Sequence, residues 1–213
     1  SSLTSSSSSS LARAELNGTV LTAELSDLVM ATTYYYCVRA SVNGSYYYSD
    51  IKSFTTKDIQ QTGYVDLGVS CKWAACNLGA TVPENFGDYY AWGEIETRTF
   101  FYTSNYTYYD KNIGTEISGT YYDAAYVILG SPWRMPTKDE YQELLDKCFW
   151  KEINYKNTKG FLVTGKNGNA IFLPKTGYKK DNKTVEGYAY WTGSKYIYSS
   201  VTLYDAVSYA SIW

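Results

Sequence analysis

Histidine is absent from this 213-residue chain. Its absence excludes a Ser-His-Asp or Cys-His nucleophile system and any His-ligated zinc site. Cysteine is scarce: Cys37, Cys71, Cys76 and Cys148 are the only four. They lack the CxxC spacing of a zinc ribbon, so burial as small apolar side chains is the default, with disulfide and free thiol both open. Neither sign of charge dominates, at 19 basic against 21 acidic residues. With no basic block, a nucleic-acid footprint is lacking. No apolar run approaches the length of a membrane span. No signal peptide is visible, so either the mature form is written here or the start lies upstream. Acidic residues do not cluster into the about six to eight oxygen ligands that calcium takes, and no metal or other cofactor is expected.

What the chain has instead is tyrosine, 25 of them beside 6 Trp and only 7 Phe. Tyr offers a large rigid face, a polar tip and little rotamer entropy to lose, which suits recognition surfaces. Tyr is also a good strand residue, and ordinary strand alternation accounts for many of the 25. The Tyr-Tyr and Tyr-Tyr-Tyr runs fit that account less well, because alternation turns some of their rings outward.

Several helix signals agree at only one stretch. Thr137 reads as an N-cap, and Glu140 three residues later completes a capping box. Pro136 disfavours helix at Met135 and sharpens the start. Asp139 and Glu140 sit where the helix dipole favours negative charge. Tyr141, Leu144, Leu145 and Cys148 follow at i, i+3, i+4 and i+7 as one apolar face. Trp133 and Arg134 then anchor the helix entry. Asp123 is expected to cap a second, short helix over 124–129.

The remainder reads as strand and loop. Residues 1–10 are almost all Ser and are expected to be a flexible lead. Residues 11–57 read as strands: 19–25, a strand through Tyr34, Tyr36, Val38 and Ala40, a type I′ turn at Asn43-Gly44, and one return strand over 45–54. Residues 58–63 are polar and read as a linker. From Tyr64 a new pattern begins: short strands at 64–68 and 72–80, a patternless loop over 97–120, a hairpin of 160–164 with 170–174 turning at Asn167-Gly168, and Tyr-rich strands at 188–192 and 196–209.

Two resemblances follow from these residues. The stretch 11–57 resembles the last three strands of a fibronectin type III or similar immunoglobulin-like domain, with Tyr34 as its corner tyrosine and Leu28 as that ring's packing partner. A full sandwich needs about seven strands, so either the chain continues upstream or another chain completes the sheet. Further on, Tyr64-Val65-Asp66-Leu67-Gly68, Lys72-Trp73-Ala74-Ala75-Cys76-Asn77-Leu78-Gly79-Ala80, Gly87-Asp88-Tyr89-Tyr90-Ala91-Trp92-Gly93-Glu94, Trp133-Arg134-Met135-Pro136-Thr137 and Tyr190-Trp191-Thr192-Gly193-Ser194 stand in a fixed order. Residues 64–209 are therefore similar to the Fibrobacter succinogenes major paralogous domain, common in surface proteins of gut Bacteroidetes. The resemblance implies an α+β, C-type-lectin-like domain over 64–213: a small mixed sheet, two helices and long loops. The helix start is also similar to that of the formylglycine-generating enzyme group and of variable proteins of diversity-generating retroelements. The enzymes of that group carry a reactive cysteine pair late in the domain; here the last cysteine is Cys148, which leaves catalysis without a nucleophile.

The calcium-lectin signature is absent: Pro83-Glu84-Asn85 is in the wrong order and no Trp-Asn-Asp occurs. Glu94 and Glu96 read as a solvated strand end. The candidate contact residues are Tyr196, Tyr198, Ser199, Tyr204, Asp205 and Tyr209, because rigid aromatics mixed with small hydrogen-bonding groups make a paratope-like composition. In retroelement-diversified relatives the final region is the variable binding face. The next candidates are Phe101, Tyr102, Tyr106 and Tyr108. The expectation is a non-catalytic surface or secreted adhesion module, on a cell or virion, that binds a glycan or protein on another surface. The alternative is a structural subunit of a pilus or phage exterior that assembles with neighbouring subunits.

Overall fold

The computed structural model describes residues 11–25, 28–61, 63–180, 183–185, 189–191, 196–199, 202–205 and 210–212. The Ser-rich lead lies outside them. The chain divides into two compact units, Ser1–Asp58 and Ile59–Trp213.

The N-terminal unit is built from hairpins. β1 (Ala14–Asn17) and β2 (Val20–Ala23) pair antiparallel. A longer hairpin follows, from β3 (Thr33–Tyr36) and β4 (Arg39–Val42) to β5 (Ser45–Tyr48) and β6 (Lys52–Thr55). Its tip has φ of 50° at Asn43 and 82° at Gly44, the left-handed pair a type I′ turn requires. β4 pairs β5 and β3 pairs β6, so the expected single return strand is two. Residues 37–38 face 49–51, an unequal count that breaks both strands as a bulge does. The Ser49 hydroxyl covers the break by accepting from the Val38 amide at 2.9 Å. The Tyr34 hydroxyl accepts from the Val29 amide, five residues upstream, at 2.7 Å. Among the described residues of this unit none is buried, and Leu16, Val20, Val42, Tyr46 and Tyr47 are well exposed.

The C-terminal unit begins earlier than the linker reading allows. Ile59 is buried, and the Gln61 side-chain amide donates to the Tyr155 hydroxyl at 3.1 Å. One apolar side chain among polar neighbours is enough to fix residues 59–61 to this unit. β7 (Tyr64–Val65) and β8 (Trp73–Ala74) are a minimal pair. The strand expected over 72–80 stops at Ala74, because Asn77 and Ala80 close a turn and Gly79 takes a φ of 82°. β9 (Tyr89–Ala91) follows, then a loop containing a 3-10 turn at Thr103–Asn105. Next come α1 (Ala124–Leu129) and α2 (Lys138–Lys147).

After the helices, β10 (Phe149–Tyr155), β11 (Thr158–Thr164) and β12 (Ala170–Pro174) form an antiparallel meander. The strand β10 adds a third member to the hairpin read at 160–174. Its turn to β11 is Lys156-Asn157, with φ of 45° and 67°, a left-handed pair without the Gly that advertises such turns. A seven-stranded sheet joins β9 to β13 (Tyr178–Lys180), β14 (Lys183–Val185), β15 (Ala189–Trp191), β16 (Tyr196–Ser199), β17 (Thr202–Asp205) and β18 (Ala210–Ile212). Its order is β14-β13-β18-β15-β16-β17, with β9 also on β18. The described residues are thus mostly β with two α-helices, compatible with an α+β or mostly-β class.

The main core forms where α2 meets the meander. Tyr141 and Leu144 pack with Val65, Leu67, Val163 and Ile171, and Leu145 and Cys148 cover the edge. The apolar face read at i, i+3, i+4 and i+7 is the buried one. The Trp150 indole donates to the Leu144 carbonyl at 3.1 Å and ties the helix end to β10.

Candidate ligand-binding site

The helix entry is built from short-range chemistry. The Glu140 amide donates to the Thr137 hydroxyl at 3.2 Å, and the Thr137 amide donates to the Glu140 carboxylate at 2.8 Å, so the capping box is complete. Arg134 grips the same carboxylate with two nitrogens, at 2.7 and 2.6 Å. That hydrogen bonding holds the Glu140 carboxyl below its usual range and the Arg134 guanidinium above its own. Arg134 also donates to the Met135 carbonyl and the Ser118 hydroxyl. Upstream, Asp123 is fully buried. Its carboxylate caps α1 through the Tyr126 amide at 3.1 Å and accepts the Gly119 and Met135 amides at 2.8 and 2.7 Å. The cap was legible from sequence; its reach to Met135 was not.

These elements border a cleft of about 620 Å³. Trp73 and Ala74 of β8, the turn 76–80, Leu129 of α1, Trp133 and Arg134 of the helix entry, and Glu140 and Tyr141 of α2 all line it. The aromatic side chains are Tyr64, Trp73, Trp133, Tyr141 and Phe172. Its charges are Lys72, Arg134 and Glu140. Trp133 and Arg134 therefore do more than anchor the helix: both face this space. Cys71 and Cys76 line it as well. Burial, reinforced by the Glu140 carboxylate, pushes the Cys71 thiol up to about 11, and burial raises Cys76 too. Raised thiols are poor nucleophiles at neutral pH. The Cys76 thiol donates to the Ala80 carbonyl at 3.2 Å. Sequence reasoning missed the cleft; its only signal was Trp and Tyr in motifs flanking both helices.

A second surface is the loop after β9. Glu94 is buried, not a solvated strand end. Arg98, four residues on in the loop, forms its ion pair, and the Thr107 amide donates to its other oxygen at 2.8 Å. The Tyr106 hydroxyl donates to the Trp92 carbonyl at 2.8 Å. Burial beside Glu94 pushes that phenol up to about 12. From this anchor an aromatic ladder runs outward: Tyr106 to Tyr108 at 6.2 Å, Tyr108 to Tyr122 at 5.2 Å, and Tyr122 to Tyr121 at 4.1 Å between ring centroids. Tyr121 ends it, 70% exposed. Tyr102 and Phe100 lie exposed and 6.1 Å apart. Phe101 is buried against Tyr89, so of the four reserve candidates it belongs to the core.

Five of the six primary candidates fall in β16 and β17. Tyr196 pairs with Asp205 and Tyr198 with Leu203, while Ser199 pairs with Thr202 and Tyr204 with Ile197. The pairing of β16 with β17 brings these five onto two adjacent strands at one edge of the seven-stranded sheet. Tyr209 lies outside the described residues. Glu84, in the Pro83-Glu84-Asn85 segment, pairs with Lys156 at 3.4 Å. Among the described residues no three His, Cys, Asp or Glu side chains group as metal ligands. No described helix is long and apolar enough to cross a membrane. No family model, curated protein or solved structure matches the chain.

Proposed function

We propose that this chain is a non-catalytic adhesion module of an extracellular or cell surface. The C-terminal unit is read as a C-type-lectin-like head related to the Fibrobacter succinogenes major paralogous domain. The N-terminal unit is read as part of a fibronectin type III or immunoglobulin-like stalk, a reading supported by the bond from the Val29 amide to Tyr34. The head recognises a glycan or protein through its loops and its last Tyr-rich strands. The observation that carries this reading is the tyrosine ladder: half-buried rings at 106, 108 and 122, anchored at Glu94, that hold one exposed ring, Tyr121, at their end, with Tyr102 and Tyr109 also exposed on the loop. Exposed rings on an anchored loop lose little entropy on binding, which is what makes Tyr an economical contact residue.

One observation favours the structural alternative, a pilus or phage-exterior subunit. The apolar side chains of the N-terminal unit lie open among its described residues, and such surfaces are normally covered by a partner.

A printed glycan array and immobilised mucin test the main reading. The parent should be retained on one of them, and Tyr121→Ala should weaken retention about tenfold with an unchanged melting temperature. EDTA should not change it. If retention is absent, or if Tyr→Ala changes at 102, 121, 198 and 204 all leave it intact, the adhesion reading fails.

A further inference from the structure

The cleft beside the helix entry differs in character from the tyrosine loop. A volume of about 620 Å³ is in the ordinary range for small-molecule sites and too small for a folded partner. Most of its lining is apolar, contributed by Trp73, Leu78, Leu129, Trp133 and Tyr141 among others. Polar partners are few, so a sugar, whose hydroxyls all need hydrogen bonds, is a poor occupant. The electrostatics then narrow the choice. Glu140 is the one carboxylate on the lining, and it is already engaged by Arg134 and Thr137. Lys72 is different: its ammonium sits 4.4 Å over the Tyr64 ring and has no ion pair among the described residues. The cleft therefore presents apolar walls with one uncompensated positive charge. From α1 the lining takes Ala125 and Leu129, and Leu129 is exposed.

We infer that this cleft binds a small amphiphile, an apolar ring or acyl body carrying one carboxylate, with the body against Trp73 and Trp133 and the anion toward Lys72. Such binding is separate from adhesion by the tyrosine loop and stands or falls independently of it.

The test uses the full chain and two carboxylates, 2-naphthoate and octanoate, each paired with its uncharged alcohol. Calorimetric titration should show binding of at least one carboxylate. Lys72→Gln should weaken the carboxylate about two- to fivefold, the worth of a solvent-exposed ion pair, and leave the alcohol unchanged. Ala74→Trp fills the cleft from an exposed position and should abolish binding of both members of a pair. Leu129→Glu, also at an exposed position, checks the same point by placing a negative charge on the lining. Bound ligand should slow maleimide labelling of Cys71 and Cys76 but not of Cys37, read by peptide mass mapping. Ring binding without acyl binding, or the reverse, assigns the body and supports the inference. It is overturned if neither carboxylate binds the parent. It is equally overturned if binding survives both Ala74→Trp and Leu129→Glu, or if Cys71 and Cys76 label at the free rate in the presence of saturating ligand. Tyr121→Ala should bind the carboxylates like the parent, which separates this site from the adhesion face.

Discussion

The Asp123 carboxylate accepts the Met135 amide at 2.7 Å, twelve residues along the chain, while the same side chain caps α1. One buried anion thus fixes the start of one helix and the approach to the next. Replacing it with Ala strands three backbone donors, those of Gly119, Tyr126 and Met135. Asp123→Ala should cost about 3 kcal/mol or more, since each buried unsatisfied donor costs about 1–3 kcal/mol. Urea denaturation followed by tryptophan fluorescence measures it. A loss below that of an ordinary cap would mean that the three donors find other partners.

Leu144 is fully buried in the main core and Thr137 caps the same helix from half-exposed ground. Leu144→Ala should cost about 2–5 kcal/mol through lost burial and the cavity left behind. Thr137→Ala should cost about 1 kcal/mol through one lost cap. The order of the two midpoints in a thermal melt is the check, and equal midpoints would contradict the packing of α2 described above.

Gly165 sits where a Cβ would meet the Leu67 carbonyl oxygen at 2.0 Å. The atoms it would meet are all Leu67 backbone, and the turn is clamped there by Asn167 and Asn169, whose side-chain amides each donate to the Asp66 carbonyl at 2.9 Å. Gly165→Ala should therefore cost about 1–3 kcal/mol, the usual range for overpacking. Gly168→Ala is the comparison: it meets no atom within 4 Å, and its cost comes from its left-handed φ of 81° alone. The two variants should separate in amide exchange at residues 66–67, which only the first one moves.

Glu143 predicts a pH dependence. Its carboxylate accepts from the Lys147 ammonium at 2.7 Å, from the Ser70 hydroxyl and from the Ser70 amide at 3.0 Å, and these bonds lower it from an ordinary 4.5 to about 2. A carboxyl depressed in the folded state stabilises fully above its unfolded value and loses that contribution as pH falls through the folded one. The stability gap between the parent and Glu143→Gln should be constant above pH about 4.5 and shrink between about 4.5 and 2. A gap that stays constant over that window would show that Ser70 and Lys147 do not hold this carboxylate in solution.

Neighbouring residues in the sequence determined a definite part of this molecule. The capping box at Thr137, the cap at Asp123, the Asn43-Gly44 turn and the buried face of α2 all depend on groups one to seven residues apart, where chain connectivity already sets the geometry. Tertiary structure decided the rest. Glu94 and Glu96 look alike in sequence, yet only Glu94 is buried, because the loop returns the Thr107 amide to it. Phe101 looks like its neighbours Phe100 and Tyr102, yet it packs on Tyr89 while they stay exposed. The Lys156-Asn157 turn carries no Gly, so pairing of β10 with β11 is what holds two non-Gly residues at positive φ. The cleft is the clearest case. Its walls come from residues 63–80, 125–141 and 171–173, and no local pattern records that these three stretches meet. Their meeting is fixed by burial of Leu67, Leu144 and Ile171 in one core, a long-range apolar contact that periodicity makes possible but does not address to a partner.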